Sequence, residues 1–195
     1  ARWSKLNRRH KQRLGRRPCP VPNDEYALYQ IVLGAAPMGG LDADDFGRRL
    51  AGYLVKAARE GKRQTSWLEP DERYEAALLR FAARILDREH AAEFLGDFEP
   101  YMRWVSHMGM FASLTQTLLK LGCPGVPDLY QGSELWDLSL VDPDNRRPVD
   151  YAARERALGE IEAGLEGDRP ALLQALAHEP RDGRIKLLLV RELLA

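Results

Sequence analysis

The residues able to do chemistry crowd into one stretch, GCPGVPDLYQGSELWDLSLVDPDNRRPVD, residues 122 to 150. Tyr130, Gln131 and Glu134 lie around Gly132, and Asp142, Asp144, Asn145, Arg146 and Arg147 follow within fifteen residues. Carboxylates and amides accept hydrogen bonds from hydroxyl groups, while guanidinium groups donate in a planar fork to carboxylates and to oxygen-rich ligands. Acceptors and donors mixed in this way suit a hydroxyl-rich substrate. The run Asp-Pro-Asp-Asn at 142 to 145 has the beginning of a calcium loop, but Arg146 stands at the fifth position and the sixth lacks glycine, which argues against calcium. A second polar stretch, Gln64 to Leu68, carries Trp67. Its indole offers a flat face for stacking on a sugar, or it is tucked into the core of an interhelical turn.

Mostly helices must position these residues. Asn23 is placed to cap a helix whose first turn holds Asp24 and Glu25, with Leu28, Ile31, Val32 and Ala35 at helical spacing before Pro37. Asp42 opens a second, with Asp45 in the capping-box position and Phe46, Leu50, Tyr53 and Leu54 as its apolar stripe, ending at Gly61. A third begins at Pro70 and repeats Tyr74, Leu78, Phe81 and Ile85. A fourth covers Tyr101 to Leu121, where Trp104, Val105, Met108, Phe111, Ala112, Thr115, Leu118 and Leu119 trace one face expected to be buried. The period then changes. Val126 to Tyr130, between Gly125 and Gly132, reads as a short buried strand with Pro127 near its start. Helical patterns return over Tyr151 to Ala163, Pro170 to Ala177, and from Ile185 onward. A single strand cannot make a sheet, so this one needs partners that the chain does not supply.

The 195 residues hold enough apolar material, 45%, for one good core or two small ones, and 30% charge places the chain among globular proteins. Basic and acidic residues balance at 29 each, which argues against general polyanion binding. The basic cluster from Arg8 to Arg17 lacks interleaved aromatics and reads as a solvated helix end, not a nucleic-acid contact. No apolar run suggests a membrane span, no leader is evident, and a cytoplasmic location is expected. Cys19 and Cys123 make no metal-type spacing with the four histidines and read as two free thiols, so no metal or cofactor is expected. The sequence opens Ala-Arg-Trp and stops inside an apolar helical pattern, and reads as a piece of a longer enzyme.

GVPDLYQGSELW resembles the last-strand motif of the α-amylase superfamily, Gly-x-Pro-x-x-Tyr-x-Gly-x-Glu. The longer text from Leu118 to Tyr151, with PVPNDEYALYQIVLGA at 20 to 35 and TSWLEPDERYEAALLRF at 65 to 81, is similar to one family within it, the maltooligosyl trehalose synthases. Gln64, Ala36 and Ala112 depart from that family's usual His, Trp and Asn. The resemblance implies a mainly α chain: a helical insertion subdomain over 1–105, then the last helix–strand–loop–helix portion of a (β/α)8 barrel over 106–195, with strand eight near 126–130. The active site of such a barrel is built at the C-terminal ends of its strands, where Tyr130 to Glu134 would lie.

The resemblance further implies an intramolecular transglucosylase acting on maltooligosaccharides or α-glucans, converting the reducing-end α-1,4 linkage to α,α-1,1. The catalytic carboxylates of the superfamily precede the last strand and none is expected in this chain, which would then be inactive alone. The candidates here are substrate-binding: Tyr130, Gln131, Glu134, Asp142, Asp144, Asn145, Arg146, Arg147 and Trp67. Apolar surfaces made to face a barrel would be left open to self-association. A glucan hydrolase of the same superfamily and a non-catalytic helical interaction module remain open.

Overall fold

The computed structural model describes residues 1–42 and 45–195. Its elements, in order, are α1 (Arg2–Leu6), a 3-10 turn (Asn7–His10), β1 (Gln12–Leu14), β2 (Arg17–Cys19), α2 (Pro22–Ala35), α3 (Phe46–Gly61), α4 (Glu72–Leu86), α5 (Arg88–Gly122), α6 (Tyr151–Glu166), α7 (Arg169–His178) and α8 (Arg184–Leu194), with short 3-10 turns at Asp144–Arg146 and Pro180–Asp182. The chain is mainly helical, and among the described residues no helix is long and apolar enough to cross a membrane. It divides into two compact units, residues 1–106 with 138–145, and residues 107–137 with 146–195.

The core of the first unit follows directly from helical spacing. Phe46, Leu50 and Leu54 of α3 are buried, as are Tyr74, Leu78, Phe81 and Ile85 of α4, and the two helices pack on one another. Asp71 caps α4 by accepting from the Tyr74 N–H at 2.9 Å, so that helix starts just past Pro70. An aromatic cluster joins the N-terminus to α5: the Trp3 ring lies 5.0 Å from Phe98 and 6.1 Å from Phe94, both edge-on.

Helix starts differ from the expected ones in two places. Helix α2 begins at Pro22, with Val21 as its cap, because a proline at the first position is already set to helical φ and lacks the N–H that would go unpaired; Asn23 lies inside the first turn. Helix α3 begins at Phe46, after Asp45 in a left-handed conformation, so Asp42 does not open it; residues 43 and 44 lie outside the described ones. Helix α5 starts thirteen residues earlier than Tyr101, running through Pro100 with non-helical backbone angles at Ala91.

The only sheet among the described residues is the hairpin β1–β2, with Leu14 opposite Arg17. Gly15, at φ +63°, takes the first central position of its two-residue turn, where L-residues are disfavoured. The basic cluster is therefore a solvated helix end only in part: Arg8 and Arg9 are exposed in the 3-10 turn, while the residues beyond them form the hairpin. Lys11 pairs with the buried Glu25 carboxylate at 2.6 Å, and Arg17 reaches Gln64 at 2.5 Å and Asp71 at 3.0 Å.

The second unit packs α6, α7 and α8 around Ile161, Leu176, Leu187 and Leu188. Asp150 and Asp168 cap α6 and α7 through the N–H groups of Ala153 and Ala171. Two expectations fail here for one reason. Val126 to Tyr130 forms no strand, and Val126 is 99% exposed: a strand needs neighbouring backbone to satisfy its N–H and C=O groups, and here the Asp128 carbonyl takes the Lys120 ammonium at 2.7 Å instead. The apolar face of α5 is open as well, with Trp104, Met108, Phe111, Leu118 and Leu119 exposed. Periodicity gathers side chains on one face, but burial requires a second surface.

Candidate functional site

The polar segment is held at both ends by arginines that belong to helices. Arg49 of α3 is a charged residue set among Phe46, Leu50 and Leu54 on the buried face of that helix. Its Nε lies 2.9 and 3.1 Å from the two Asp144 carboxylate oxygens, and its Nη2 lies 2.9 Å from Oδ2 and 3.0 Å from the Leu138 carbonyl. The Leu140 N–H donates to the same carboxylate at 2.7 Å. The two side chains are only 4% and 10% exposed, so the pair is a buried, forked ion pair of the kind that fixes geometry. Lys56, seven residues on and hence two turns along the same face, donates to the Asp142 carbonyl at 2.5 Å and has its ammonium 4.0 Å from the Asp142 carboxylate. The cation held by Asp144 is thus a guanidinium of the chain itself.

Within the second unit, Tyr130 to Ser133 form a turn in which the Tyr130 carbonyl accepts from the Ser133 N–H at 3.0 Å and from its hydroxyl at 2.6 Å. Gly132 sits at its third position with φ +93°, the sign a type II turn requires there. Arg154 of α6 reaches back over the turn: its Nη2 donates to the Gly132 carbonyl at 2.8 Å and its Nε to Glu134 at 3.1 Å. Glu134 is therefore a partner of Arg154. Further along, Trp136 donates its indole N–H to the Pro180 carbonyl at 2.7 Å, with the Lys186 ammonium 5.7 Å from its ring centre. Burial pushes the Lys186 ammonium below its ordinary pKa.

Trp67 is 56% exposed, so it is not the core indole of an interhelical turn. The Arg59 guanidinium lies 4.9 Å from its ring centre, and Arg59 itself forks onto Glu75 at 2.8 and 2.7 Å. Thr65 donates to Glu75 at 2.6 Å and accepts from the Asp71 N–H at 2.9 Å. The Arg59 hydrogen bonds hold the Glu75 carboxyl below the usual carboxylate range, helped by Thr65 and opposed by burial.

The structure thus brings Asp142 and Asp144 together under α3 and joins Glu134 to its turn, while Tyr130, Gln131, Arg146 and Arg147 are exposed and Asn145 is half-buried. Trp67 stands apart in sequence, on the connection between α3 and α4. Sequence reasoning passed over Arg49, Lys56 and Arg154. The signal for Arg49 was present, since an arginine on an apolar helical stripe calls for a carboxylate; which carboxylate was not. Among the described residues one group, Asp87, Glu89 and His90, brings possible metal-ligand atoms within 4.8 Å of one another. There Asp87 caps the first turn of α5 through the Glu89 N–H at 2.8 Å and pairs with His90 at 2.8 Å.

No protein-family model matches the sequence. A curated protein of Mycobacterium tuberculosis, described as a maltooligosyl trehalose synthase, is 41% identical over 148 residues, 74% of this chain and 18% of that protein's length. A crystal structure of a maltooligosyl trehalose synthase superposes with a TM-score of 0.78 at 28% identity, covering 99% of this chain and 24% of the other. The maltooligosyltrehalose synthase of Arthrobacter ramosus does so with a TM-score of 0.74 at 31% identity, covering 99% and 22%. The chain therefore spans about a fifth of the length of the relatives it matches. By sequence over most of its length and by fold over nearly all of it, this chain matches a part of the maltooligosyl trehalose synthases.

Proposed function

We propose that this chain is the part of a maltooligosyl trehalose synthase that carries a helical module and a saccharide-facing loop, and that the whole enzyme is an intramolecular transglucosylase of the cytoplasm. The observation that carries the reading is the agreement of fold, over nearly the whole chain, with the synthases named above. In the reaction, a carboxylate outside this chain bonds to the anomeric carbon as the last α-1,4 linkage breaks, and an acid gives its proton to the leaving oxygen. The freed glucose then turns, its anomeric hydroxyl attacks the same carbon, the carboxylate leaves, and the proton returns to the acid. Two displacements retain configuration and give the α,α-1,1 linkage.

The task of the present residues is to hold the sugar that must turn and to keep water from taking its place. Arg146 and Arg147 offer donors to sugar hydroxyls, and Tyr130 and Gln131 lie at the turn of the same unit; in the other unit Asn145 offers an amide and Trp67 a flat face for stacking. Asp144 and Glu134 act instead as anchors for the loop, through Arg49 and Arg154. The open apolar face of α5 is the surface through which the chain would meet the rest of the enzyme, or a second copy when alone.

The test is incubation of the full-length enzyme with maltopentaose and chromatography of the products. A non-reducing product of unchanged chain length is expected, and none from the 195-residue chain alone. Free glucose and maltotetraose as the main products of the full enzyme would make it a hydrolase, and turnover by the isolated chain would overturn the placement of the catalytic carboxylates.

A further inference from the structure

We propose that Arg49 is a positioning residue for the transfer reaction: by fixing Asp144 it sets where the neighbouring Asn145 stands, and so decides whether the freed glucose or water takes the glycosyl group. This rests on the function proposed above.

The geometry that points to it is specific. A guanidinium on α3 holds both oxygens of Asp144 and the Leu138 carbonyl, while Leu140 donates to the same carboxylate. One side chain thereby fixes two points of the seven-residue span 138 to 144 directly and a third, Leu140, through Asp144, immediately before Asn145. Lys56 adds a fourth at the Asp142 carbonyl. Helix α3 is itself locked through Phe46, Leu50 and Leu54, all buried, so the anchor rests on a rigid element and not on another loop. The pair is nearly excluded from solvent, where a forked ion pair keeps its orientation and a single-point ammonium does not. Transfer to a sugar that turns within the site depends on sub-ångström placement, and misplacement by about 1 Å costs on the order of a hundredfold in rate. Hydrolysis needs only water, which requires no such placement. Loosening the anchor therefore lowers transfer more than hydrolysis.

Arg49→Lys in the full-length enzyme keeps the charge and loses the fork. With maltopentaose, the ratio of free glucose to non-reducing product is expected to rise about tenfold, with total bond cleavage changed far less. Arg184→Lys serves as the control, since it alters ion pairs with Asp182 and Glu160, neither of them a residue of the proposed sugar site; its ratio should move much less. If Arg49→Lys does not yield folded enzyme, Asp144→Asn, which keeps the acceptor for the Leu140 N–H, reads the same ratio. An unchanged ratio in the folded variant overturns the positioning role. A wild-type enzyme that makes no non-reducing product overturns the function itself, so the two failures are distinct.

Discussion

Two phenylalanines on the same helix give the sharpest test of the fold. Phe98 and Phe111 both lie on α5; the first is fully buried and the second is 56% exposed. The Phe98 ring has the Trp3 ring 5.0 Å away edge-on and the Phe94 ring 5.0 Å away tilted. Truncating it to alanine removes the transfer free energy of the ring and leaves a cavity between two aromatics that cannot collapse freely, a loss of about 4 kcal/mol. Phe111 touches the His107 ring edge-on at 5.2 Å, but much of its face meets solvent. Alanine there loses only partial burial and recovers some helix propensity, for a net change of less than about 1 kcal/mol. For a chain of this size each kcal/mol moves Tm by roughly 2–4 °C, so Phe98→Ala should melt about 8–16 °C below wild type and Phe111→Ala within about 4 °C. Calorimetry of the 195-residue chain, supported by urea titration, measures both. Equal losses from the two variants would refute the assignment of an open face to α5. In the full-length enzyme the order is expected to change, with Phe111→Ala becoming costly as that face is covered.

Two further outcomes follow from ionisable groups. Glu75 has its pKa lowered by Arg59 from an ordinary 4.5, so the stability it contributes is complete above that value and is lost as pH falls through the lower folded one; Glu75→Gln should be less stable at neutral pH and show a flatter acid limb in a series of melts from pH 7 to 3, and an acid limb as steep as wild type's would dissociate Glu75 from it. Burial pushes the Cys19 thiol up to about 11, while Cys123 is exposed; a chromogenic thiol reagent at pH 8 should therefore titrate one cysteine in the native chain and two in urea, and rapid reaction of both in the native chain would contradict the buried position of Cys19.

The sequence by itself determined the local matters. Tyr74, Leu78, Phe81 and Ile85 announced the buried face of α4 because helical geometry puts residues three and four apart on one side, and Gly122 marked the end of α5. The motif from Leu118 to Tyr151 carried the family, since such a run of residue types does not recur by chance. The hairpin was not read from the sequence, because three-residue strands around Leu14-Gly15-Arg16-Arg17 give too little alternation to stand out from a basic cluster. What the tertiary structure alone decided was partnership. Arg49 chose Asp144 from among many carboxylates, Arg154 chose Glu134 and the Gly132 carbonyl, and Lys11 chose Glu25. Such pairs lie from 14 to 95 residues apart in sequence, and no local pattern records them. The same holds for Val126 to Tyr130 and for the apolar face of α5: β propensity and helical period belong to a segment, whereas a ladder partner or a covering surface belongs to whatever the rest of the fold brings beside it.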